Sequence, residues 1–174
     1  DPRLEPLGSL GDLGWYNLRI ILWTLRYEMP RAVAARMIRE QNGVPVSLSA
    51  ELLFADGVTA SLYCSFEAEN QQWLDISGTK GRIHMDDFVL PSHGSELAFC
   101  VDQPHFHVDG CHFHMERHTR RIATREYSDS HASAQEARLF RRFGELVLGG
   151  QPDPHWPDIA LKTQIVLDAC LRSA

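Results

Sequence analysis

The chain has no surplus of positive charge. Its 17 Lys and Arg face 23 Asp and Glu, a formal net charge of -6 at pH 7, and basic residues nowhere collect into a block. Proteins that grip nucleic acid or anionic membrane show the opposite balance, so neither is expected as a partner. Long apolar runs are also missing. None approaches the roughly 20 residues needed to cross a bilayer, and the first residues do not show the charged, apolar, small-residue succession of an export signal. Cysteine is scarce: Cys64, Cys100, Cys111 and Cys170 form no Cys-x-x-Cys pair. Free thiols in a reducing, cytoplasmic setting fit this scatter better than a disulfide framework. Repeats and low-complexity segments do not occur, and neither does Gly-x-Ser-x-Gly, a P-loop, or Gly-x-Gly-x-x-Gly between a strand and a helix. Three common routes to nucleophilic, phosphate and dinucleotide chemistry are thereby removed.

What is present suffices for one sizeable core, since 44% of the 174 residues are hydrophobic. The stretch GSLGDLGWYNLRIILWTL, Gly8 to Leu25, predicts a helix with two faces. Leu18, Ile21, Leu22 and Leu25 make an apolar stripe, while Asp12, Tyr16, Arg19 and Trp23 line another. A carboxylate, a phenol and a guanidinium in one row near a helix start suit an oxygen-rich or anionic ligand. The same row also reads as an N-capping Asp followed by surface polars. Gly8, Gly11 and Gly14 imply close approach to this backbone, by a ligand or by a packed sheet. The helix is expected to end near Tyr27 to Met29, ahead of Pro30.

Strands follow. RAVAARMIRE has a period that fits strand or helix, with strand preferred because the turn QNG and a strand pair follow, and period-two alternation on both sides of Asp56-Gly57 predicts a hairpin with Val46, Leu48, Ala50, Leu52 and Phe54 on its inner face. A second hairpin is predicted from Trp73 to Ser77 and Arg82 to Met85 through GTKG. Between Phe88 and Tyr127, ELAFCV, HFHV and HFHM read as short strands broken by Pro104 and Asp109-Gly110, and RRIATREY adds another. Two helices close the chain. One opens on a Ser133 to Glu136 capping box and buries Leu139, Phe140, Phe143, Leu146 and Val147; the other starts around Pro157 and buries Ile159, Val166, Leu167 and Cys170. The expected fold is α+β, an open, mainly antiparallel β-sheet with helices packed on one face.

PHFHVDGCHFHMERH gathers five histidines around Cys111. His105, His107, His112 and His114 on facing strands have the spacing of a zinc or copper site. With Phe106, Val108, Phe113 and Met115 at alternate positions, the spacing equally reads as an inside-outside pattern with wet imidazoles.

GSLGDLGWYNLRIILWTL, FADGVTASLYCSF, SGTKGRI and DPHWPDIALKTQIVLDACLRSA, in that order, resemble the C-terminal domain of the Gfo/Idh/MocA family of NAD(P)-dependent oxidoreductases. The resemblance spans nearly all the chain except Phe88 to Tyr127, and it implies that residues 1–174 are the substrate-binding and oligomerisation domain of a longer protein. An N-terminal Rossmann domain, not part of this sequence, would bind NAD or NADP and contribute a lysine from a Glu-Lys-Pro segment. Without it the fragment is expected to be inactive. The resemblance also implies a homo-oligomer paired through the open sheet face and a small-molecule substrate, a sugar, polyol or related hydroxy compound. The family pattern Asp-x-Gly-x-His falls on Asp12-Leu13-Gly14-Trp15-Tyr16, with tyrosine at the histidine position. This is similar to the branch that includes glucose-fructose oxidoreductase and dimeric dihydrodiol dehydrogenase, where a tyrosine takes the acid/base role. Tyr16 and Asp12 are thus the implied catalytic pair, with Trp15 and Arg19 as candidate substrate contacts. A phenol titrates near 10 in model peptides, so acting as a base requires a nearby cation, from Arg19 or from the missing domain's lysine. Two other readings stay open: a stand-alone ligand-binding or dimerisation module, and a His-rich metal-binding domain.

Overall fold

The computed structural model describes residues 3–90, 96–125 and 131–174. The fold is α+β, and the chain divides into two compact units, Asp1–Glu69 with Asp153–Ala174, and Asn70–Pro152. The single sheet expected from sequence is two hydrogen-bonded sheets, ordered β1-β2-β3 and β4-β5-β6-β7.

In the first unit a helical run opens at Gly8, widens into a π-turn over Leu10–Gly14 and continues as α1, Trp15–Thr24. It stops short of the expected Tyr27 to Met29. Arg26 and Tyr27 both take positive φ, and the Tyr27 N–H donates back to the Leu22 carbonyl at 2.6 Å, so a left-handed cap ends the helix before Pro30 acts. Three antiparallel strands follow, β1 (Ala32–Gln41), β2 (Val44–Leu53) and β3 (Thr59–Ser65). Asn42 and Gly43 make the first turn, and Asp56 and Gly57 lie in the second, all four at positive φ. The register sets Leu48 opposite Cys64 and Ala50 opposite Leu62. The inner face, Val46 through Phe54, is buried as predicted. Leu10, Leu18 and Leu22 pack on it, as do Val166, Leu167 and Cys170 of α3, His155–Ser173. Each of these larger aliphatic side chains contributes about 1.5–3 kcal/mol by leaving water. Both helices thus cover one face of this sheet, while Leu53 and Tyr63 stay exposed on the other.

The second unit is a meander. β4 (Leu74–Gly78) and β5 (Gly81–Met85) pair from Gly78 opposite Gly81. The expected short strands are instead two long ones, β6 (Glu96–Asp109) and β7 (His112–Arg125), in unbroken register. Pro104 does not interrupt β6 because pairing with β5 ends at Asp102; beyond it β6 has one free edge, where a missing N–H is tolerated. Residues 126 and 127 of RRIATREY lie outside the described residues.

The last helix of this unit, α2 (Gln135–Gly149), departs from expectation twice. Ser133 does not cap it: Ala134 holds the N-cap without a side-chain bond, and the Ser133 hydroxyl pairs with His131 Nδ1 at 2.8 Å. Leu139, Phe140, Phe143 and Val147 are not buried but 61–71% exposed, and Leu146 is half-buried. A 3.6-residue period reports which side of a helix is apolar, not whether another surface covers it.

Candidate active site

The glycines of the first helix answer to packing. A Cβ on Gly8, whose φ is +57°, would lie 2.0 Å from the Pro45 carbonyl oxygen, and one on Gly14 would lie 2.8 Å from Leu10 Cδ1. β2 and the helix's own leucine fill the space that the sequence left to either a ligand or a sheet. The helix's first N–H groups sit a turn ahead of Asp12, where the Glu5 carboxylate already accepts from the Leu7 N–H at 3.1 Å. Asn17 ties the helix to the sheet, its amide donating to the Tyr63 carbonyl at 3.2 Å.

On the outward side of this anchored helix lie the sequence-predicted residues. Asp12 is exposed and Tyr16 is 48% exposed; among the described residues neither side chain has a hydrogen-bond partner. Trp15 is half-buried against the core. The Arg19 guanidinium carbon lies 5.5 Å from the centre of the Trp15 ring, and Arg19 Nη1 is buried with no hydrogen-bond partner among the described residues. A buried, unpaired guanidinium nitrogen is costly, and an incoming acceptor would relieve it. The phenol and carboxylate are therefore accessible on a rigid support, with a cation stacked on the same helix.

Sequence inspection missed a charged cluster on the second sheet. Asp75 stands opposite His84, and Ser77 opposite Arg82. Arg82 Nε donates to Asp75 at 2.5 Å; His84 Nδ1 lies 3.1 Å from Asp75 and its Nε2 lies 2.9 Å from Asp86. The bond from Arg82 holds the Asp75 carboxyl below its ordinary range. The bond to Asp86, with a further one to Asp75, raises His84 above the ordinary imidazole value. The two-residue turn between Gly78 and Gly81 fixes this register, so the pairing was within reach of the sequence.

All four cysteines are free thiols. Burial pushes the Cys64 thiol up; burial, with Cys64 nearby, pushes Cys170 to about 11. Neither is a nucleophile at neutral pH.

The histidine segment forms the far part of the β6–β7 hairpin. His107 pairs with His114, His105 with Glu116 and Asp109 with His112, all on one face. Phe106, Val108, Phe113 and Met115 occupy the other and are exposed as well, so the inside-outside account of the spacing does not hold. Among the described residues no three or more His, Cys, Asp or Glu side chains, as they stand, are arranged to hold a metal ion.

Comparison with known proteins places this scaffold. Residues 1–84 match the model of the GFO/IDH/MocA C-terminal domain. Over 80 residues the chain is 32% identical to trans-1,2-dihydrobenzene-1,2-diol dehydrogenase of Bos taurus, covering 46% of this chain and 24% of that protein. KijD10, a 3-ketoreductase from Actinomadura kijaniata solved in complex with TDP-benzene and NADP, superposes with a TM-score of 0.71 at 25% identity, covering 94% of this chain and 46% of that one. GenD2 from gentamicin A biosynthesis, solved with NAD, shares the fold with a TM-score of 0.68 at 22% identity over 99% of this chain and 47% of its own. The chain thus spans a quarter of the bovine relative's length and under half of each of these solved chains. Residues 1–84, just under half of this chain, are thus similar to the C-terminal domain of GFO/IDH/MocA proteins.

Proposed function

We propose that this chain is the substrate-facing part of an NAD(P)-dependent oxidoreductase that acts on a sugar, polyol or related hydroxy compound. The observation that carries the reading is Tyr16: a half-exposed phenol without a hydrogen-bond partner among the described residues, at the family's acid/base position. The bovine relative is a diol dehydrogenase and KijD10 a ketoreductase, which supports alcohol–carbonyl interconversion as the reaction class. An upstream Rossmann domain would hold the nicotinamide, which supplies the hydride exchange. In the oxidising direction Tyr16 takes the proton from the substrate hydroxyl. In reduction its O–H returns that proton to the carbonyl oxygen, and Asp12 orients it. Arg19, or a lysine of the upstream domain, provides the cation of the site. Trp15 and Arg19 flank the substrate.

The test compares two polypeptides. The longer protein, carrying the upstream domain, is assayed with NAD and NADP against a panel of sugars, polyols and their ketones, beside the 174-residue chain alone. Turnover by the longer protein only is the expected result; no nicotinamide oxidation or reduction across the panel overturns the reading.

A further inference from the structure

The far end of the β6–β7 hairpin serves neither the core nor the proposed reaction, yet its chemistry is specific. The rung His105–Glu116 is flanked on one side by His107–His114 and on the other by His118 opposite Gln103. Directly paired side chains on one face of a sheet start about 5 Å apart, and diagonal ones about 7–8 Å. Three histidines therefore flank the central His105–Glu116 rung, making five donor-bearing side chains in all. His105, His107, His114, Glu116 and His118 together line an open cavity of about 220 Å³.

Two distances sharpen this. The His105 and His118 ring centres lie 5.1 Å apart, edge to face. Two imidazoles bound to one tetrahedral metal at a metal–nitrogen distance of about 2.0–2.1 Å hold their ring centres roughly 5 Å apart, so the two rings need not separate or approach to share a metal. The Glu116 carboxylate lies 3.2 Å from His118 Nε2, placing a hard oxygen donor beside the pair.

The geometry points to a binding site for a divalent transition cation of the zinc–copper–nickel class on this face of the hairpin. His105, His118 and Glu116 are its first three ligands, and His107 or His114 completes the set. Imidazole and carboxylate donors suit these metals, and neutral imidazole is the binding form. All five side chains are exposed, so they reach a common centre by rotating about their own side-chain bonds without moving the strands. The site is independent of the reaction assigned to Tyr16, on another element.

The experiment is a calorimetric titration of the 174-residue chain, prepared without a histidine tag, with Zn²⁺. One equivalent is expected to bind near pH 7.5. His105→Ala and His118→Ala should each weaken it at least tenfold, the lower end of the loss that even an outer-shell partner causes. His155→Ala, on α3, should leave it unchanged, and circular dichroism should show each variant folded. No stoichiometric binding, binding that survives the His105→Ala/His118→Ala double variant, or equal loss in His155→Ala overturns the site.

Discussion

Tyr16 and Asp12 owe their standing to what surrounds them rather than to their spacing alone. A helix pinned by Leu10, Leu18 and Leu22 in the core, and by Asn17 on Tyr63, turns its opposite side outward. That support is stiff because Gly8 lets β2 approach closely. Gly8→Ala should therefore destabilise the chain by on the order of 2–4 kcal/mol, since it adds a Cβ in a left-handed conformation against the Pro45 carbonyl. Denaturant unfolding reads this directly, and a change below about 0.5 kcal/mol would contradict the packing described. The close approach was legible in the sequence as three glycines at fixed spacing. The identity of the approaching group was not, because Pro45 is brought there by the β2 register, a non-local fact.

Elements with the same pattern have different fates. α2 and α3 both show helical apolar periodicity, yet only α3 is covered: Val166, Leu167 and Cys170 are buried, while Phe140 and Phe143 are exposed. Leu167→Ala should cost about 2–5 kcal/mol by leaving a cavity, whereas Phe143→Ala should stay within about 0.5 kcal/mol. Equal losses would mean that α2 is packed in solution. Hairpin registers were the most readable feature, because paired turn residues and alternation leave one solution. The capping box failed because Ser133 found His131 as a nearer partner.

The β4–β5 hairpin also carries a pH signature. His84 is raised in the folded state, so its contribution is complete below the unfolded imidazole value of about 6.5 and is lost as pH climbs through the folded one. Asp75 is lowered, so its contribution is present above the unfolded carboxylate value of about 3.9 and fades as pH falls through the folded one. The pair thus stabilises most between about pH 4 and 6.5. Melting temperatures of wild type and His84→Gln across pH 4–9 should differ most in that window and converge at alkaline pH. A difference that widens above pH 8 would contradict the assignment.

For the whole molecule, the α+β class and the helices on one face of the first sheet were written in the order helix, strands, helices. The division into two sheets was not, since periodicity does not say where one ladder ends and the next begins. The outer face of β1-β2-β3 leaves Leu53 and Tyr63 exposed, and the subunit pairing through an open sheet face that the resemblance implies can be tested there. If that pairing holds, wild type sediments as a dimer and Leu53→Lys with Tyr63→Lys as a monomer; a wild-type protein that sediments as a monomer removes the expectation. Among the described residues no helix is long and apolar enough to cross a membrane.

The proton carrier is the centre of the functional account, and single-turnover hydride transfer in the longer, cofactor-binding protein tests it most directly. Tyr16→Phe should slow that step by about 10²- to 10⁴-fold while nicotinamide affinity holds. A hydride-transfer rate within about twofold of wild type, with cofactor bound, would show that the proton travels by another route.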